Sequence, residues 1–112
     1  MADVVTKYTF VNAGNTNGTA LGVDNQDITV WQIIVGQPTS GEIVRLYNIQ
    51  NPVDAATTNL AFQFTMPTFS TTNINPGVYV IDFGPNGLRL GEGGAVQIDA
   101  AIGLTVVWSE NW

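Results

Sequence analysis

The chain has 112 residues, three of them basic and nine acidic, for a net charge of −6 at pH 7, and it contains no histidine and no cysteine. This length fits one domain, residues 1–112, large enough to bury its own hydrophobic core. The acidic balance argues against a surface that grips the phosphates of nucleic acid. The missing residue types exclude a Ser-His-Asp triad, a cysteine nucleophile, a disulfide and the usual zinc sites.

Neither a membrane span nor a secretory signal is visible in the sequence. The longest clear apolar run, 33–35, falls far below the ~18–20 residues that a spanning helix needs. Residues 1–7 show no basic region followed by an apolar core and a cleavage site. We therefore expect a protein made in the cytosol that contacts no membrane.

The first half of the chain reads as strands separated by turns. Residues 5–11 are rich in β-branched and aromatic side chains, and a loop rich in asparagine and glycine follows at 12–18. A short strand is predicted at 19–23 and a longer one, containing Trp31, at 28–35. The strand predicted at 42–49 has apolar groups on both faces, as expected where one face meets the core and the other meets a neighbour.

The second half continues the same pattern. Residues 60–65 show the cleanest alternation of the chain, and 68–77 are predicted to form a long surface connection. Further strands are predicted at 78–83, 88–90, 95–100 and 102–108, with no convincing helix. About eight short strands predict an all-β fold, a single antiparallel β-sandwich of jelly-roll or immunoglobulin-like type. Periodicity does not report long-range pairing, so both topologies stay open.

Few residues suggest chemistry. Asp82, Glu92 and Asp99 could supply a pair of catalytic carboxylates, but nothing in their spacing brings them together. Residues 24–27 carry two aspartates but lack the pattern of an EF-hand loop, which favours an ordinary turn. We expect no catalytic residue, no cofactor, no metal and no enzymatic activity.

The low charge instead suggests that part of the surface faces other protein. Charged residues make up 11% of the chain, against about 25% in ordinary soluble domains. Large aromatic rings are enriched in both cores and interfaces, and the first five residues are predicted to form an arm that could order on a neighbour. The interface candidates are Val4, Val5, Trp31, Tyr47, Trp108 and Trp112.

One ordered set of short motifs resembles a known group of proteins. The motifs are VRLY at 44–47, the Asn51-Pro52 turn, LAFQF at 60–64, NGLRL at 86–90 and TVVW at 105–108. Their order is similar to that in small β-sandwich structural proteins of tailed bacteriophages, and the resemblance covers residues 42–112. Leu90 stands where those proteins often have an aromatic residue.

The resemblance implies a virion protein, with a capsid decoration or cement protein as the leading expectation. Such a protein binds the assembled lattice of the major capsid protein, binds copies of itself, and could form a trimer at local three-fold positions. Two alternatives stay open: a tail, baseplate or fibre subunit, and a carbohydrate-binding module that stacks sugars on aromatic rings, chiefly Trp31 or Trp108 and with them Tyr8.

Overall fold

The computed structural model describes residues 5–12, 17–36, 41–67, 78–98 and 103–111. These residues form nine β-strands and two short 3-10 turns, Pro52–Asp54 and Thr57–Asn59. In chain order the strands are β1 (Thr6–Val11), β2 (Thr19–Leu21), β3 (Ile28–Val35), β4 (Ile43–Tyr47), β5 (Leu60–Thr65), β6 (Tyr79–Asp82), β7 (Leu88–Leu90), β8 (Gly94–Ile98) and β9 (Leu104–Glu110).

The strands form two antiparallel sheets. The five-stranded sheet has the order β1-β9-β3-β6, with β7 also paired to β3, and the four-stranded sheet has the order β2-β8-β4-β5. Apart from β7, the strands pair first with last and then inward along the chain: β1 with β9, β2 with β8, β3 with β6, and β4 with β5. Successive pairs fall in alternate sheets, which is the winding of a jelly roll.

Strand β3 contains a bulge that changes the phase of its side chains. Its register with β9 shifts between Val30 and Gln32, which leaves Trp31 as the extra residue. Val30 and Ile33 are both fully buried although three positions separate them. Strict alternation would have turned the amide of Gln32 into the core, where burying a polar group is costly.

The core lies between the two sheets and is almost entirely aliphatic. Leu21, Ile28, Ile33 and Leu46 are completely buried, and they come from both sheets. Phe62 and Phe83 meet edge to face at the margin of this core, with ring centroids 5.0 Å apart. No disulfide or metal cluster is present in the described parts of the chain, so packing supports this region of the fold.

The predicted all-β sandwich is confirmed, and the jelly-roll alternative matches the strand order. Strand β3 has the predicted bounds, while the strands predicted at 19–23, 42–49 and 78–83 are shorter by one or more residues. The last strand begins later and runs on to Glu110, two residues past its predicted end. The connection predicted at 68–77 lies outside the described residues.

Candidate interaction face

The outer surface of the five-stranded sheet gathers apolar side chains from four strands. Opposed residues of an antiparallel pair share a face, so the registers place Phe10, Thr105, Ile34 and Val80 in one row across the sheet. The next row contains Tyr8, Val107, Gln32 and Asp82. We call the apolar members of this surface, together with Trp31, the apolar face: Tyr8, Phe10, Trp31, Ile34, Val80 and Val107.

The bulge in β3 places Trp31 on the same surface. Its indole N–H donates a hydrogen bond to the Oγ of Ser109 at 3.0 Å. Ser109 is opposite both Thr6 and Thr29 in the sheet, so its side chain points outward. The indole also lies close to Gly87, where an added Cβ would come within 3.0 Å of the ring. These contacts hold Trp31 at the end of the apolar face near β7, and the residue is partly exposed.

Three apolar side chains of the apolar face are exposed to solvent. Tyr8 is 71% exposed, Phe10 65% and Val80 48%. Val107 points the same way but is shielded by its neighbours. Exposed apolar residues scattered singly are normal on soluble proteins, whereas a contiguous group across four strands is typical of an interaction site.

A groove deepens one end of the apolar face. It measures about 600 Å³ and is lined by Phe10, Asn12, Ile34, Gly36, Gly103, Leu104 and Thr105. Among these lining residues none is charged. Such a groove can accept an apolar side chain from a partner, because binding energy at interfaces concentrates where one side chain fills a desolvated pocket.

A network of polar side chains borders the opposite end of the sheet. The Arg89 guanidinium forms an ion pair with the Asp27 carboxylate, and its Nε–H donates to the same carboxylate at 2.7 Å. This hydrogen bond lowers the pKa of Asp27 from its ordinary value of 3.8. The backbone N–H of Asn111 donates to the Asp27 carbonyl at 2.9 Å, and the Asn111 side-chain amide donates to the hydroxyl of Thr29 at 2.7 Å. The network joins the end of β9 to the start of β3.

Two of the interface candidates lie inside the fold, which corrects their predicted role. Trp108 is only 6% exposed and belongs to the hydrophobic core, and its indole N–H donates to the Thr9 hydroxyl at 2.8 Å. Tyr47 is also buried, and its hydroxyl donates to the Gln97 side chain at 3.2 Å. Neither ring can stack on a sugar or meet a partner without disrupting these contacts, so both predictions are wrong as surface contacts.

The remaining candidates differ in position. Trp31 lies on the apolar face, and Val5 is exposed beside β1, while Val4 and Trp112 lie outside the described residues. The sequence analysis did not single out Phe10, and it considered Tyr8 only among the rings that could stack on sugars. Their signal was present, because they share one phase of a strand whose other phase holds Lys7, Thr9 and Val11, but alternation alone does not say which phase faces the core.

The acidic residues that were considered as catalytic groups and lie in the described parts of the chain form hydrogen bonds or an ion pair within the fold. The Asp82 carboxylate accepts a hydrogen bond from the Gly84 backbone N–H at 2.8 Å, which supports the turn after β6. The backbone N–H of Glu92 donates to the Asn48 side chain at 3.0 Å. Asp99 lies outside the described residues, and Asp27 is occupied by Arg89.

Comparison with known proteins does not identify a family for this chain. No protein-family model matches the chain, and no curated protein matches it either. Within the described part of the chain, no helix has both the length and the apolar character to cross a bilayer.

Proposed function

We propose that this protein is a non-enzymatic structural subunit that docks on other protein through the apolar face, and that it serves as a capsid decoration protein of a tailed bacteriophage. The observation that carries the docking role is the exposure of Tyr8, Phe10 and Val80 on one continuous sheet surface. Burying apolar surface contributes about 25 cal/mol per Å², so covering this surface is favourable.

The composition of the face sets the kind of partner. The rows of Phe10 and Tyr8 include one carboxylate, Asp82, and the Arg89 guanidinium in the next row is paired with Asp27, so a partner needs a matching apolar surface more than opposite charge. Salt screens charge pairs but leaves apolar contacts intact. Binding through this face should therefore persist at salt concentrations that weaken charge-driven complexes.

The virion setting is supported by two independent features. One is the resemblance of residues 42–112 to small phage structural proteins. The other is the jelly-roll winding, which recurs in viral capsid proteins and also in lectins. A fold does not assign a function by itself, so the docking face supplies the mechanism and the resemblance supplies the setting. A subunit that binds only the assembled lattice stabilises that lattice by mass action.

The docking role is tested by adding purified protein to capsids that lack it and measuring co-sedimentation. Phe10→Asp places a charge in the centre of the apolar face and should weaken binding at least about tenfold, because the carboxylate loses its water on docking. Val53→Asp is the matched control, since Val53 is 88% exposed and lies in a 3-10 turn away from the face. Equal binding by both variants would contradict the docking role of the face.

The setting is tested by immunogold electron microscopy of intact particles from the lysate that contains this protein. Label over the heads supports a capsid decoration protein. Label confined to tails moves the protein to a tail, baseplate or fibre subunit that uses the same face. Absence of label from every particle contradicts the virion setting.

A carbohydrate-binding module is the second candidate function, with Tyr8 and Phe10 as the rings that stack on sugars. Tyr8 and Phe10 are exposed two positions apart on β1, so both rings project from the same side of one strand. Aromatic rings in this arrangement can stack on sugar faces. A glycan array distinguishes the two functions: binding that Tyr8→Ala abolishes, without effect on capsid binding, favours the module.

A further inference from the structure

Among the described residues, strand β1 forms one edge of the five-stranded sheet. It pairs with β9 on one side, and no other described strand pairs with it. In an antiparallel strand, alternate residues direct both N–H and C=O to the same side. Three of the six residues of β1 therefore present their backbone donors and acceptors away from β9.

Two of the usual protections of an edge strand are absent from β1. Proteins commonly guard such edges with proline, a bulge or a charged side chain, outward or inward, that an added strand would deprive of water. Residues 6–11 contain no proline, and their register with β9 is uninterrupted. The strand's one charged residue, Lys7, turns to the inner side, where its ammonium lies 3.6 Å from the Glu110 carboxylate and 5.6 Å from the centre of the Trp108 ring.

We propose that β1 pairs antiparallel with β1 of a second copy of this chain, about a two-fold axis at Tyr8. Antiparallel pairing of identical strands is self-complementary, as a two-fold interface requires. It needs no second surface and supplies hydrogen bonds for the free backbone groups of both strands.

The face preference and the charge of β1 favour an axis at Tyr8 over an axis at either of its neighbours. Opposed residues must share a face, so the axis passes through a residue rather than between two residues. An axis at Lys7 would oppose two ammonium groups, which is unfavourable. An axis at Thr9 would place Lys7 beside the buried Val11 of the second copy. The axis at Tyr8 instead opposes Lys7 with Thr9 and brings the two Tyr8 rings together on the outer side.

The paired dimer joins the two five-stranded sheets into one continuous sheet. Because the two-fold axis is normal to the sheet, both apolar faces lie on the same side, where they form one surface of twice the extent. The inference concerns association of the chain with itself and does not depend on the virion setting. The subunit that docks through the apolar face would then be a two-fold dimer.

Cysteine capture tests the pairing, since the natural chain contains no cysteine. Opposed Cβ atoms of an antiparallel pair lie about 4.5–5.5 Å apart, within reach of a disulfide after a small adjustment. Under mild oxidation of purified protein, Tyr8→Cys should form a covalent dimer at least about tenfold faster than Val80→Cys. Val80 is exposed on the same outer surface but on β6, at the opposite edge of the sheet.

Sedimentation of the purified protein, without any capsid, completes the test. The unmodified chain should show a concentration-dependent dimer, and Tyr8→Asp should raise its dissociation constant at least about tenfold by opposing two carboxylates. Circular dichroism verifies that each variant is folded. A monomer at every concentration would overturn the pairing, as would equally fast capture of Val80→Cys, which indicates contact between sheet faces. Both results are obtained without capsids, so the outcome of the capsid co-sedimentation assay is independent of them.

Discussion

Replacing Trp108 by alanine measures whether this residue supports the fold or an interface. The ring is 6% exposed in the core, and its N–H donates to Thr9 at 2.8 Å. Truncating a buried tryptophan to alanine costs about 3–5 kcal/mol. For a domain of this size the entropy of unfolding is about 0.24 kcal/mol/K, so each kcal/mol lowers Tm by about 4 °C. We expect Tm to fall by about 12–20 °C.

Thermal unfolding by circular dichroism at one fixed protein concentration is the assay, because self-association makes Tm depend on concentration. Trp108→Phe keeps a ring but loses the bond to Thr9, so it should lie between alanine and the natural chain. Val53→Ala is the control and should change the free energy of unfolding by less than about 0.5 kcal/mol, because Val53 is 88% exposed. A Tm for Trp108→Ala within about 2 °C of the natural chain would refute the core role.

Three further changes probe other parts of the structure. Arg89→Gln should lower Tm at neutral pH, because it removes the ion pair with Asp27. The Tm difference from the natural chain should shrink as the pH falls below 4, since the pKa of Asp27 is lowered in the folded chain and its stabilising charge is lost on protonation. Melting curves between pH 7 and 3 measure this difference. Gly87→Ala should lower Tm by several degrees, since Gly87 has a φ of +65° and its added Cβ would clash with the Thr29 side chain and press on Trp31. A Tm equal to that of the natural chain would contradict this packing. Deleting Trp31 removes the extra residue of the bulge and keeps residues 32–35 in their present register with β9, so the chain should still unfold cooperatively, with a lower Tm because the indole bond to Ser109 is lost; loss of the sharp transition would contradict this account of the bulge.

Local pattern was enough to identify most strands of this protein. The alternation in residues 60–65 and the turn residues around each strand follow from backbone chemistry, so they can be read without knowing the pairing partner. The bounds of β3 were read correctly, but its bulge was not. Its trace in the sequence is the polar Gln32 in the same phase as Ile28 and Val30, a position where strict alternation would bury an amide.

The interaction face was only partly readable from the sequence. Low charge predicts that some surface meets other protein, and Trp31, one of the interface candidates, is partly exposed on the apolar face. Trp108 was chosen as an interface candidate because its ring is large, yet the ring packs in the core. Phe10 was overlooked and Tyr8 was not chosen as an interface candidate, because a strand with apolar groups in both phases does not reveal which side is covered.

The sequence by itself determined the all-β class, the approximate positions of the strands and the shortage of charge, because these depend on residue type and near-neighbour spacing. Only the tertiary structure decided the jelly-roll order, the burial of Trp108 and Tyr47, and the exposure of Tyr8, Phe10 and Val80. These depend on pairs such as β1 with β9, which lie about as far apart in the chain as two strands can be. The register of such distant pairs, and with it the face that each side chain joins, is set by packing of the whole domain rather than by any local pattern.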